Sequence, residues 1–199
     1  MKHFIPIQYS LKKKCSAFLF VGLLFFSLHD ETRGEVLDDS TWKRIETKHT
    51  IIQYQLIEDL VKFDDKIKYR KERWSLKRLF SNSETETLFE KITEKVDLLF
   101  ERVQTILDMR MRMKKVTINI YRNRAQLYNA YTHIYKKQRH IRAWYTYEYH
   151  TIYVNLEDVH EGIVAHEMAH SIIDYYLLVR PPRATAEILA RYVDSHLFE

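Results

Sequence analysis

The run His166-Glu167-Met168-Ala169-His170 constrains this chain more than any other feature, because it acquires a purpose only on a helix. Residues four apart on a helix differ by roughly 40° around the axis, so both imidazoles point the same way and can share one metal ion. Glu167 then lies beside that metal. A carboxylate there can take a proton from water, while zinc lowers the water's pKa toward ~7 and polarises a carbonyl. The pattern also arises by accident, so its context has to support it.

Local signals place the motif on a helix. Asn155 is a good N-cap, Glu157 and Asp158 put negative charge in a first turn, and Pro181-Pro182 stop the helix after the run from Tyr175 to Val179. The expected helix spans about 156–178. Ile163, Val164, Met168, Ile172 and Ile173 form a broad apolar surface beside the histidine face. A core helix with two satisfied histidines is the bland alternative. Asp174, four residues beyond His170, shares its face and is a candidate to orient a ligand's second ring nitrogen; a solvated charge is the other reading.

A catalytic zinc usually has three protein ligands and keeps a fourth position for water. After the prolines, residues 184–194 form a second helical pattern with Ile188, Leu189, Tyr192 and Val193 as apolar positions, and Glu187 is its first acidic residue. A short turn would fold this helix back and bring Glu187 to the two histidines. The alternative is that Glu187 only caps a helix dipole.

With HExxH and this downstream glutamate in place, the chain resembles the gluzincin metallopeptidases, in which a second helix carries the glutamate in a stretch like E-G-L-A-x-Y. Here the stretch reads Glu187-Ile188-Leu189-Ala190-Arg191-Tyr192, with Ile where Gly often stands. The segment from His166 to Tyr175 also looks like the thermolysin active-site helix. The resemblance covers about residues 115–197 and is closest to the small peptidase MA-like or minigluzincin type. It implies a zincin-like α+β fold, zinc ligands His166, His170 and Glu187, and Glu167 as the base.

Upstream the period switches to two. Residues 115–121 alternate as a strand, and 141–147 with 150–155 form two aromatic-rich strands joined around Glu148-Tyr149. Residues 151–155 are the expected sheet edge, where an extended peptide could add as a further strand; plain sheet core is the alternative. Residues 47–55 alternate enough for a first strand. Helices are expected over 56–69, 84–109 and 123–131, the longest with Leu88, Ile92, Val96, Leu99, Phe100, Val103 and Leu107 as one stripe.

Residues 1–34 differ in kind: Lys12-Lys13-Lys14 precede a short apolar run over 15–28, the pattern of an export signal. Cleavage near Gly34 would release a periplasmic or extracellular domain over 35–199, whereas an uncleaved segment would leave it anchored to a membrane. About 165 residues would remain, enough for one domain. The single cysteine, Cys15, belongs to the leader, so no thiolate can ligate a metal in the remaining domain.

The formal charge of +5 includes five Lys and Arg against two acids in residues 1–34, so the remainder is nearer +2. The basic clusters at 66–78 and 110–115 suggest nucleic-acid or anionic-membrane binding, with a solvated basic face as the alternative, and the smaller charge weakens the nucleic-acid reading. A donor for the developing oxyanion is sought among Tyr192, His196, Arg183 and Tyr175, with Tyr192 preferred as the catalytic candidate. The resulting expectation is zinc-dependent hydrolysis of a peptide or protein substrate. The alternatives are an inactive zinc-binding module for a cell-envelope partner, and an electrostatic binder with a chance motif. Oligomeric state is left open.

Overall fold

In the computed structural model, which describes residues 42–69 and 84–199, the period-two segments assemble into one five-stranded mixed sheet. The fold is α+β. The order along the chain is β1 (Lys43–Glu46), β2 (Thr50–Tyr54), α1 (Ile57–Lys66), α2 (Glu84–Ile106), β3 (Val116–Tyr121), α3 (Arg124–Tyr135), β4 (Ala143–Thr146), β5 (Thr151–Asn155), α4 (Glu161–Tyr176) and α5 (Arg183–His196). The export signal expected over 1–34 and part of the 66–78 basic cluster lie outside the described residues. Among the described residues, no helix is long and apolar enough to cross a membrane.

The sheet order is β1-β2-β3-β5-β4. β2, β3 and β5 are parallel, while β1 and β4 run antiparallel to their neighbours. This corrects the expected edge: β5 is internal, every one of its residues is buried, and the free edge on that side is β4. The alternating register explains the aromatic content, because Trp144 opposite Tyr153 stacks at 4.3 Å between ring centroids on one face. Ile152 and Val154 meet Ile118 and Ile120 on the other face.

That second face is the core. Ile52, Ile118, Ile120, Ile152 and Val154 pack with Val96, Leu99 and Phe100 of α2 and with Val164, Met168 and Ile172 of α4. The expected α2 stripe is present, with Ile92, Val96, Leu99, Phe100 and Val103 buried and Leu88 and Leu107 partly so. β1 has no counterpart in the expectation, since Lys43, Arg44 and Glu46 are exposed and its alternation is masked by charge. The turn that joins it to β2 is held by Asp97, whose carboxylate accepts the backbone N–H groups of Lys48 and His49 and the hydroxyl of Thr47.

The motif helix is shorter than expected. α4 starts at Glu161 after His160, and Asn155 does other work: its Oδ1 accepts the N–H groups of Glu157 and Asp158 in a tight turn, while its Nδ2 donates to the Arg142 carbonyl. An Asx turn and a helix N-cap use the same side-chain chemistry, so the residue type alone does not separate them.

Candidate metal centre

α4 passes beneath β4 with its apolar side buried, Val164, Ala165, Met168, Ala169, Ile172 and Ile173 all facing inward. This leaves His166 and His170 on one flank, their ring centroids 5.0 Å apart. α5 returns across that flank after the Pro181-Pro182 break. Glu187 Oε2 then lies 3.5 Å from His166 Nε2 and 3.9 Å from His170 Nε2.

The spacing suits a shared ion. Donors at ~2.1 Å from a tetrahedral zinc lie roughly 3.4 Å apart, and the two distances from Glu187 Oε2, 3.5 and 3.9 Å, are close to that separation. One donor atom from each of the three residues falls within 4.8 Å of the others, and this group could hold a metal ion. The donor set, two imidazoles and a carboxylate with no sulfur, suits zinc in an open, water-accessible site.

Electrostatics distinguish the members. His166 also reaches Asp194, whose Oδ2 is 3.1 Å from Nδ1, and that hydrogen bond is the main cause of the raised His166 pKa. It also orients the ring so that Nε2 faces Glu187. His170 is shifted the other way, by burial first and by its neighbour His166 second. Glu167 is buried at 9% exposure, and burial is the main cause of the rise of its carboxyl pKa to about 7; His166 opposes that rise and the charge of Glu187 adds to it. The backbone N–H of Tyr145 on β4 is directed toward the same carboxyl and favours its charged form. The base candidate is therefore held between the candidate ligands and the free sheet edge.

Two cavities of about 540 and 510 Å³ flank the centre, and both are lined by Ile141, Ala143, His166 and Glu167. Together they run along the start of β4. The larger carries Tyr131, Tyr135, Arg139 and Arg183 beside the carboxylates of Glu167, Asp174 and Glu187; the smaller contains Ile163, Leu197 and Phe198.

The other sequence candidates are placed differently. Asp174 lines the larger cavity but pairs at two points with Arg180, at 3.0 and 2.9 Å, and makes no hydrogen bond to either motif histidine. Asp194 takes that place, and spacing within the motif helix could not have found it. The available signal was on α5: seven residues from Glu187 are within about 20° of two full turns, so both carboxylates share one face. Tyr192, the preferred oxyanion donor, does not line either cavity. Five residues advance a helix by roughly 500°, which turns Tyr192 about 140° from Glu187. Its ring instead packs on His196 at 3.9 Å, and Tyr175 is exposed beside His150. Of the four candidates only Arg183 lines the larger cavity, with its Nε 3.8 Å from Glu187 Oε1.

Comparison with protein-family models, with curated proteins and with solved structures finds no match.

Proposed function

We propose that this protein is a zinc-dependent metallopeptidase with a gluzincin-like site in a zincin-like domain. The observation that carries the reading is the convergence of His166, His170 and Glu187 from two helices with Glu167 buried directly beside them. Zinc bound there would supply Lewis acidity for the scissile carbonyl and for an attacking water.

The chain's own residues have separate tasks. His166, His170 and Glu187 hold the ion, and Asp194 orients His166. Glu167 accepts the proton of the attacking water and returns it to the departing amine, a role suited to a carboxyl with a pKa of about 7. The unpaired side of β4 lies along the cleft, so an extended peptide can align there as a sixth strand with the centre at its middle. Arg183, which lines the larger cavity beside Glu187, is the candidate cation for charge that develops on the carbonyl oxygen.

Export belongs to the same proposal and rests on the basic and apolar pattern of residues 12–28. The deciding experiment measures zinc content and peptide-library hydrolysis for wild type, His166→Ala, Glu187→Ala and Glu167→Gln. About one zinc per chain, lost in the first two variants, with hydrolysis abolished in the third, is the expected pattern. Stoichiometric zinc without turnover on any peptide would favour the alternative, an inactive zinc-binding module. Absence of zinc would end the reading.

A further inference from the structure

Beside the cleft mouth, two loops expose an apolar and aromatic surface that the metal centre does not use. Leu178 and Val179, in the connection between α4 and α5, are 105% and 82% exposed, so both protrude from the body of the fold. Tyr175 and Tyr176 at the end of α4 are exposed as well, as are Tyr147 and Tyr149 in the β4–β5 turn. Arg180 joins the two loops: its guanidinium sits 4.5 Å over the Tyr147 ring while it pairs with Asp174.

A basic segment adjoins them. His150, whose ring is 6.3 Å from that of Tyr175, meets the Lys114 carbonyl through Nε2 at 3.2 Å. This brings residues 110–115 to the same end of the sheet, where Arg110, Met111, Arg112 and Lys114 are exposed. Among the described residues, Arg110, Arg112 and Lys114 have no carboxylate partner within ion-pair distance. Glu148, in the turn between the two tyrosines, already feels the Arg180 charge.

Soluble proteins rarely keep a contiguous exposed apolar patch that has no use. A protein partner would need a preformed concavity for the protruding Leu178 and Val179. A bilayer needs none. Tyrosine rings settle at the headgroup level, and each Lys or Arg near an anionic surface raises partitioning about fivefold.

We propose that this surface docks the folded domain on an anionic lipid bilayer. Leu178 and Val179 enter the acyl region, the four tyrosines lie among the headgroups, and Arg110, Arg112 and Lys114 face the lipid phosphates. Arg180 and Pro181 also line the larger cavity, so docking holds the cleft mouth at the membrane surface. The inference is independent of whether the metal centre hydrolyses peptides.

The test is co-sedimentation of the full chain with phosphatidylcholine vesicles, with and without phosphatidylserine. Wild type is compared with Leu178→Glu/Val179→Glu and with Arg110→Glu/Arg112→Glu/Lys114→Glu, and circular dichroism checks that each variant is folded. All three proteins share residues 1–41, so a difference between them belongs to this surface. Wild type is expected to prefer the anionic vesicles about tenfold or more, the loop variant to lose about tenfold of that binding, and the charge variant to lose the preference. A milder pair, Leu178→Ser/Val179→Ser, serves if the glutamates disturb folding. Equal binding of wild type and a folded loop variant, or no anionic preference in wild type, overturns the proposal and leaves the patch to a protein partner.

Discussion

Asp194 Oδ2 lies 3.1 Å from Nδ1 of His166, so a carboxylate on α5 fixes the orientation of an imidazole on α4 while Glu187, on the same face of α5, approaches the opposite ring nitrogen. One helix thus contributes both a candidate ligand and the group that aims another. Carboxylates in this position raise ligand basicity and fix the tautomer.

Asp194→Asn is therefore expected to weaken zinc affinity about 10- to 100-fold while leaving the three ligands in place. Competition against a chelator of known affinity measures it. An unchanged affinity would reduce Asp194 to a surface charge.

Glu167 links pH to stability in the metal-free protein. Unfolded, it ionises near its ordinary 4.5; folded, only near about 7. The folded state therefore binds this proton more tightly, so the contribution is present below 4.5, declines as pH rises to 7, and is fully lost above that. Glu167→Gln removes the burden of a buried charge and is expected to stabilise the chelated protein at pH 8 by up to about 3 kcal/mol, with little effect at pH 4. Urea unfolding at the two pH values checks this. The same variant, loaded with zinc, should lose about 10²-fold or more of any peptidase activity.

The free edge of β4 has its own test. The Tyr145 N–H points to Glu167 and so away from β5, and the Ala143 N–H, two residues earlier, faces the same way by the pleat. Ala143→Pro removes that outward donor without touching a ladder bond to β5. It is expected to lower kcat/KM about tenfold at unchanged zinc content, consistent with the loss of one backbone contact to an extended substrate. Equal kcat/KM would place the substrate elsewhere in the cleft.

Packing of the motif helix can be probed away from the site. Ile172 is fully buried against the core. Ile172→Ala is expected to destabilise the protein by about 2–5 kcal/mol through lost burial and the cavity it leaves. Thermal unfolding measures the cost, and zinc stoichiometry at low temperature should be retained because Ile172 belongs to the hydrophobic core and not to the candidate ligand set.

What the amino-acid sequence determined by itself was local. The HExxH spacing places two imidazoles on one helix face, the prolines end that helix, Glu187 is the first acidic residue of the next one, and the α2 stripe and the alternation of β3 can be read directly from residue order. These features depend on the 3.6- and 2-residue periods, which are properties of a single element. The tertiary structure alone decided what depends on distance between elements. Asp174 has the right spacing to support His170, but Arg180 is close enough to claim it; Asp194 reaches His166 because α5 folds back across α4. Tyr192 looks available in the sequence and is turned away by the same packing, which brings Glu187 and Asp194 to the motif histidines. The sheet edge belongs to β4 because β5 pairs in parallel with β3 and lies between them, and no local pattern in either strand encodes that order. The physical reason is common to all three cases: hydrogen-bond and strand partners are chosen by which surfaces the core brings together, and core burial is a sum over residues far apart in the chain.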